Sequence, residues 1–166
     1  CSFNRLIYYI IMKAIKKINL VLILVAAIIA SSCTSNDVVE TLTGGNYVKA
    51  TIDGSSYSSL TASAIKTGTG AGTTIIIIGV GPTAQNMNMT LIGINAKGTY
   101  ALSESSDSVL SYIDPKDLGA TFGTGGCGAT GTITVTTLDA TKIEGTFNFT
   151  GKNISNCDTA AKNITN

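Results

Sequence analysis

The stretch from residue 131 to residue 150, GTITVTTLDATKIEGTFNFT, constrains this chain more than any other. Two runs alternate at period two around an Asp139-Ala140-Thr141 turn. Ile133 and Val135 share one side of the first run, and Ile143, Phe147 and Phe149 share one side of the second. Lys142, Glu144, Thr146 and Asn148 fall on the opposite side. Successive side chains of a strand point to opposite faces, so the pattern specifies an antiparallel hairpin with one face on a core and one in water. From Tyr47 onward no segment sustains apolar residues at the 3.6-residue spacing of a helix.

The remaining elements read the same way. Val48, Ala50 and Ile52 alternate with Tyr47, Lys49 and Thr51, and Asp53-Gly54 closes a tight hairpin into residues 55–60. Residues 73–80 hold four consecutive isoleucines and pair with residues 87–95 across a Gly81-Pro82 turn. Residues 99–103 and 109–113 form two short strands around an acidic, serine-rich loop. Threonine is abundant, glycine recurs at turns, and there are only 2 prolines. The expected fold is all-β: an antiparallel β-sandwich or small calycin-like barrel built of hairpins.

The isoleucine hairpin is unusual because both of its faces are apolar. Ile75 and Ile77 point one way and Ile76 and Ile78 the other, while Met87, Met89 and Leu91 give way to Ile92 and Ile94. Both faces are therefore expected to be covered. One reading is a central strand pair with core on one side and a loop or tether on the other. The sharper reading makes Ile75, Ile76, Ile77, Ile78, Ile92 and Ile94 the wall of an apolar ligand cavity or an association surface.

The N-terminus carries an address. Residues 12–32, MKAIKKINLVLILVAAIIASS, join a basic stretch (Lys13, Lys16, Lys17) to an apolar run over residues 20–30 and then to small residues. That run is too short for a membrane span of about 20 residues and fits the core of a signal-peptide helix. The ending Ala30-Ser31-Ser32-Cys33 resembles a bacterial lipoprotein cleavage box, in which the Cys33 thiol forms the thioether to diacylglycerol. More than one acyl chain on Cys33 suffices for stable attachment to a membrane. Thr34 and Ser35 differ from the aspartate that retains enterobacterial lipoproteins in the inner membrane, which favours the outer membrane. Residues 1–11 read as an over-extended reading frame, residues 33–45 as a flexible tether, and residues 46–166 as a single β domain.

Composition then excludes several chemistries. The chain has no histidine and no tryptophan, which removes the commonest general base and metal ligand. From Cys33 on there are 7 Lys, no Arg and all 10 acidic residues, a net of −3, so no basic footprint for nucleic acid exists. Gly68, Gly70 and Gly72 precede a strand rather than a helix, so they do not form a nucleotide-binding loop. Asp114 with Asp117, and Glu104 with Asp107, are too sparse to cage calcium and read as solvated loop residues. No catalytic residue, metal or cofactor is expected.

Cys127 and Cys157 lie just beyond the open ends of the last hairpin, so forming that hairpin brings them near each other. In an exported domain they can bridge. The alternatives are two free thiols, or one reactive thiol with no histidine to activate it.

Taken together, the signal ending SSC, the opening KATIDGSSYS, the strand at Gly98-Thr99-Tyr100 and the pair GTITVTTLD and KIEGTFNFT resemble small exported lipoproteins of the Bacteroidota, a family of unknown function. The resemblance covers most of residues 12–166 and carries no catalytic motif. It implies one further strand after residues 162–166, whose loss would leave an unpaired edge. The expected function is a lipid-anchored, non-enzymatic envelope module that binds an apolar or glycan ligand or a protein partner. The alternative is a structural or accessory subunit of a fimbria-like surface assembly that uses edge-strand pairing.

Overall fold

Alternating runs pair as antiparallel strands throughout the computed structural model, which describes residues 40–42, 46–117 and 120–166. These residues belong to one compact unit, Val38–Asn166. The signal helix expected over residues 12–32, Cys33, and residues 1–11 lie outside the described residues.

The described residues form twelve strands: β1 (Glu40–Leu42), β2 (Lys49–Ile52), β3 (Ser55–Ser58), β4 (Thr61–Thr67), β5 (Thr74–Val80), β6 (Asn86–Ile92), β7 (Gly98–Ser103), β8 (Val109–Ile113), β9 (Thr121–Gly123), β10 (Thr130–Leu138), β11 (Ile143–Asn153) and β12 (Lys162–Thr165). A single turn of 3-10 helix, Gly70–Gly72, interrupts them. Asp53 and Gly54 have φ of 48° and 84°, the left-handed pair that a two-residue hairpin turn requires, so β2 and β3 pair from Lys49 opposite Ser58 to Ile52 opposite Ser55.

The strands follow the order β1-β4-β5-β6-β8-β9-β11-β12-β2-β3 in one curled sheet, a half-barrel. Its two ends approach each other because β3 runs into β4 after only two residues. At that corner the Leu60 amide donates to the Val80 carbonyl (2.7 Å) and the Ser59 amide to the Val48 carbonyl (2.9 Å). Val48 packs there against Gly79, where a Cβ would lie only 2.8 Å from the Val48 Cβ, which explains why a glycine follows the four isoleucines. Tyr57 crosses the same seam, donating to the Gly79 carbonyl (2.7 Å) and meeting the Tyr112 ring edge-on at 6.3 Å.

Residues 99–103 and 109–113 do not form a hairpin with each other. β7 and β8 run in the same direction as one interrupted strand, and β9 and β10 are a second: Ser103 pairs with Thr130, and Ser111 with Gly123. Two buried hydroxyls replace ladder partners where these strands break. Ser108 Oγ accepts from the Ile92 amide (2.8 Å) and Thr124 Oγ1 from the Leu110 amide (3.1 Å). Across the two breaks, the Gly128 amide donates to Glu104 Oε2 (2.7 Å). Glu40–Leu42, inside the segment expected to be tether, is strand β1 on β4, because Leu42 buries its side chain (2% exposed) opposite Ala64.

One core fills the curl. Ile75, Met87, Leu91, Leu110, Tyr112, Phe149 and Ile164 are sealed from solvent, and each sits at an inward position of its strand. Burying one such side chain contributes about 1.5–3 kcal/mol.

Candidate functional site

The curl is left open along one side of β11. Its first half pairs on one side with β10, from Ile143 opposite Leu138 to Phe147 opposite Ile133. Between Val135 and Thr137 the register shifts by a bulge on β10, and Gly145 lies across from it. A Cβ on Gly145 would run into the Thr134 carbonyl, so only glycine fits there. On its other side β11 meets β12 only from Asn148 onward, and β12 meets β2 only at Thr51 and Ile52. Asn166 spans the end of this contact: its amide donates to the Phe147 carbonyl (3.0 Å), and its Nδ2 donates to the Lys49 carbonyl (2.6 Å).

Beyond Asn166, between residues 46–49 and residues 143–147, a cavity of about 630 Å³ opens to solvent. Its floor is the inner face of the sheet: Ala62, Ala64, Ile77 and Met89 from β4, β5 and β6, and Ile133, Val135 and Phe147 from β10 and β11. Its rim is polar, with Tyr47, Lys49, Lys142, Glu144, Thr146 and Asn166. The Lys142 ammonium lies 2.6 Å from Glu144 and lowers that carboxyl below the usual carboxylate range, while Glu144 raises the lysine in return. Lys49 Nζ stands 4.9 Å from the centre of the Tyr47 ring. An apolar floor beneath a rim of both charges can hold an apolar group and orient a polar one.

The six isoleucines singled out from the sequence are not brought together. Ile75 (0% exposed) and Ile94 (3%) are core, and Ile77 lines the cavity floor. Ile76, Ile78 and Ile92 stand on the outer face, each about two-fifths exposed. Among the described residues nothing covers this outer face, whereas the inner face is packed on the core. Ile76 stands between Thr90 and the exposed Ile65, and Ile78 between Asn88 and Ser63, so the outer face is mixed apolar and polar. Alternation marks Ile133, Val135 and Phe147 as inward, and they line the cavity floor with Met89. Nothing local in the sequence marks the interrupted contact between β11 and β2 that exposes them.

Away from the cavity, Cys127 and Cys157 lie at bonding distance, with S–S of 2.01 Å and Cα–Cα of 5.3 Å. Among the described residues no group of three or more cysteine, aspartate or glutamate side chains could hold a metal ion. Asp114 accepts from the Lys116 amide and the Tyr112 hydroxyl, Asp117 contacts Lys162, and Glu104 accepts from Gly128, so these loop carboxylates have structural partners.

No curated protein and no solved structure matches this chain. A family model does match, over residues 45–166, which takes in every described strand except β1. The chain belongs to the family described as a domain of unknown function, DUF6252.

Proposed function

We propose that this chain is a lipid-anchored, non-enzymatic binding module of the bacterial outer membrane, with the cavity beside β11 as its ligand site. The cavity itself carries the reading. Its volume of about 630 Å³ falls within the range of about 300–1,000 Å³ typical of ligand sites, and it combines an apolar floor with a few polar rim groups. Lack of histidine throughout the chain supports binding over catalysis. The anchor is supported by the basic stretch, the apolar run and the box ending at Cys33, and by the resemblance to exported lipoproteins of the Bacteroidota. The membrane is then one partner, and nucleic acid is not one.

Two experiments test this reading. Ile77→Trp places an indole over the cavity floor, and it is expected to abolish the fluorescence gain of anilinonaphthalene sulfonate while cooperative unfolding is kept. Equal gain in the parent and the variant removes the cavity as the site. Cys33→Ser is expected to release the protein from the membrane fraction and to lower its mature mass by the acyl chains. Unchanged fractionation and mass would sink the anchor.

A further inference from the structure

Side chains that point outward on β4, β5, β6 and β8 alternate with the buried ones, and none of them is charged. Elsewhere the outer surface of the sheet carries charge, with Lys49 on β2 and Glu144 on β11. Four isoleucines stand in the uncharged face: Ile65, Ile76, Ile78 and Ile92, each about two-fifths exposed. They are contiguous. Ile65 pairs directly with Ile76, Ile78 follows Ile76 on the same face of β5, and Ile92, opposite Thr74, is diagonal to Ile76. Serine, threonine and asparagine fill the positions between them.

The chain reaches this face from the direction of Cys33. Strand β1 lies beside β4, with Glu40 opposite Lys66. Glu40 is therefore at the end of the sheet that holds Ile65, Ile76 and Ile92. Cys33 precedes Glu40 by seven residues, and a fully extended chain of that length reaches about 25 Å. An acyl group on Cys33 would hold this end of the sheet within that reach of the bilayer, where even a weak contact is favoured by high local concentration.

A second copy or another protein fits the face less well. The exposed parts of four isoleucines amount to less than half of the roughly 800 Å² per partner that a stable contact buries. The face also has no outward charge to set the register of a partner. At a bilayer surface neither lack matters. Isoleucine enters the acyl boundary, hydroxyl and amide side chains stay among the headgroups, and no charged group has to be desolvated.

Resting on the reading of Cys33 as the lipid anchor, we propose that the outer face of β4, β5 and β6 docks on the membrane surface, with Ile65, Ile76 and Ile92 in the acyl boundary. Ile77 and Met89, inward on β5 and β6, line one cavity with Ile133 and Phe147, inward on β10 and β11. Docking therefore turns the outward residues of β10 and β11 away from the bilayer and holds the domain in one orientation.

The test uses the lipidated full-length protein in vesicles of phosphatidylethanolamine and phosphatidylglycerol, with and without bromine at the headgroup end of the acyl chains. The chain has no tryptophan, so one introduced indole reports one position. Ile76→Trp and Ile92→Trp each replace a part-exposed side chain, and either serves if the other misfolds; Thr150→Trp on β11 is the comparison. Bromine should quench Ile76→Trp and Ile92→Trp by about half or more and leave Thr150→Trp nearly unchanged, because contact quenching needs an indole at the acyl boundary. Should the protein float with the vesicles while the three indoles escape quenching, or are quenched alike, the docked face is refuted and the anchor stands. Emission from Ile76→Trp that is blue-shifted equally with and without vesicles means that a second copy or another part of this chain covers the face, which also refutes it. Failure to float removes the anchor at Cys33 and this proposal with it.

Discussion

Tyr112 gives the sharpest test of the packing. Only 2% of it is exposed; its ring meets Tyr57 edge-on, and its hydroxyl donates to Asp114 at 3.3 Å. Burial chiefly, and next the Asp114 charge, push its pKa from the ordinary 10.0 up to about 12. Ionisation is thus harder in the folded protein than in the unfolded chain. The stability linked to this group is complete below pH 10 and is lost as pH rises toward 12. At pH 11 an ordinary tyrosine is about nine-tenths ionised and one at 12 about one-tenth, a difference worth about 1.4 kcal/mol. The hydroxyl's partner Asp114 is only half-buried, and screening of its charge reduces the expected loss to about 1 kcal/mol. The assay is urea unfolding at pH 9 and pH 11 for the parent and for Tyr112→Phe. The variant keeps the ring, so its pH-dependent loss should be smaller by about 1 kcal/mol, whatever the substitution does to stability at pH 9. Tyr57, also raised by burial, contributes in the same direction and remains in both proteins. If Tyr112→Phe loses as much stability between the two pH values as the parent, the hydroxyl is not desolvated and the description of this part of the core is wrong.

Other perturbations follow from the same geometry. Replacing Cys127 by Ser opens a bridge between residues 30 apart and should lower stability by about 3.5 kcal/mol on the chain-entropy model. Urea unfolding without reductant measures the loss, and reductant should bring the parent to the same midpoint. Phe149→Ala, at a side chain 2% exposed, should cost about 3–5 kcal/mol, while Thr150→Ala on the exposed face stays within about 0.5 kcal/mol. Gly79→Ala would set a Cβ 2.8 Å from that of Val48, costing about 1–3 kcal/mol. Adding Val48→Ala should recover part of that loss, and simple additivity of the two substitutions would show that they do not meet.

Period-two alternation made the hairpins legible wherever one face is buried and the other wet. Ile133 opposite Phe147 and the left-handed Asp53-Gly54 turn are both readable from local pattern and turn chemistry. What local pattern cannot carry is which strand lies beside which. The runs at 99–103 and 109–113 look like two arms of a hairpin, yet each takes its partner from the interrupted line of β9 and β10. β4, β9 and β12 escape notice for a related reason. Thr61–Thr67 (TASAIKT) buries only Ala64 fully, and Lys162–Thr165 buries only Ile164, so neither shows a repeating apolar signal. At the site the same division holds: inward residues follow from parity, whereas the opening between β11 and β2 depends on where a partner strand stops. The outer isoleucines show the converse limit, since apolar identity on both faces of β5 does not establish that both are covered.

The two ends of β11 are held in opposite ways, and this difference is what allows the molecule to keep an open cavity. At the Asn153 end, β9 pairs on β11, and the Cys127–Cys157 bridge ties the loop after β9 to the segment after β11. Lys162 closes the same region, 3.5 Å from Asp117 and 3.9 Å from Asp53, with its ammonium 4.7 Å from the centre of the Phe122 ring. At the Ile143 end Asn166 bridges the walls, donating to the Phe147 and Lys49 carbonyls. A lined but unfilled space loses the contacts that a side chain or strand would have made there, and partial collapse would ordinarily reduce that loss. Here collapse would require β11 and β2 to approach each other, but β12, paired with β11 from Asn148 to Gly151 and with β2 at Thr51 and Ile52, fixes their separation a few residues further on. The stapled end therefore imposes the width of the open one. Loosening the staple should change the cavity even though Cys127 is remote from it. In the Cys127→Ser variant, exchange at Gly145 should quicken and the affinity for a cavity ligand should fall, both without any change in the lining. If stability falls while Gly145 exchange and ligand affinity stay at parent values, the two ends are independent and the cavity's width must be fixed by the β10–β11 ladder alone.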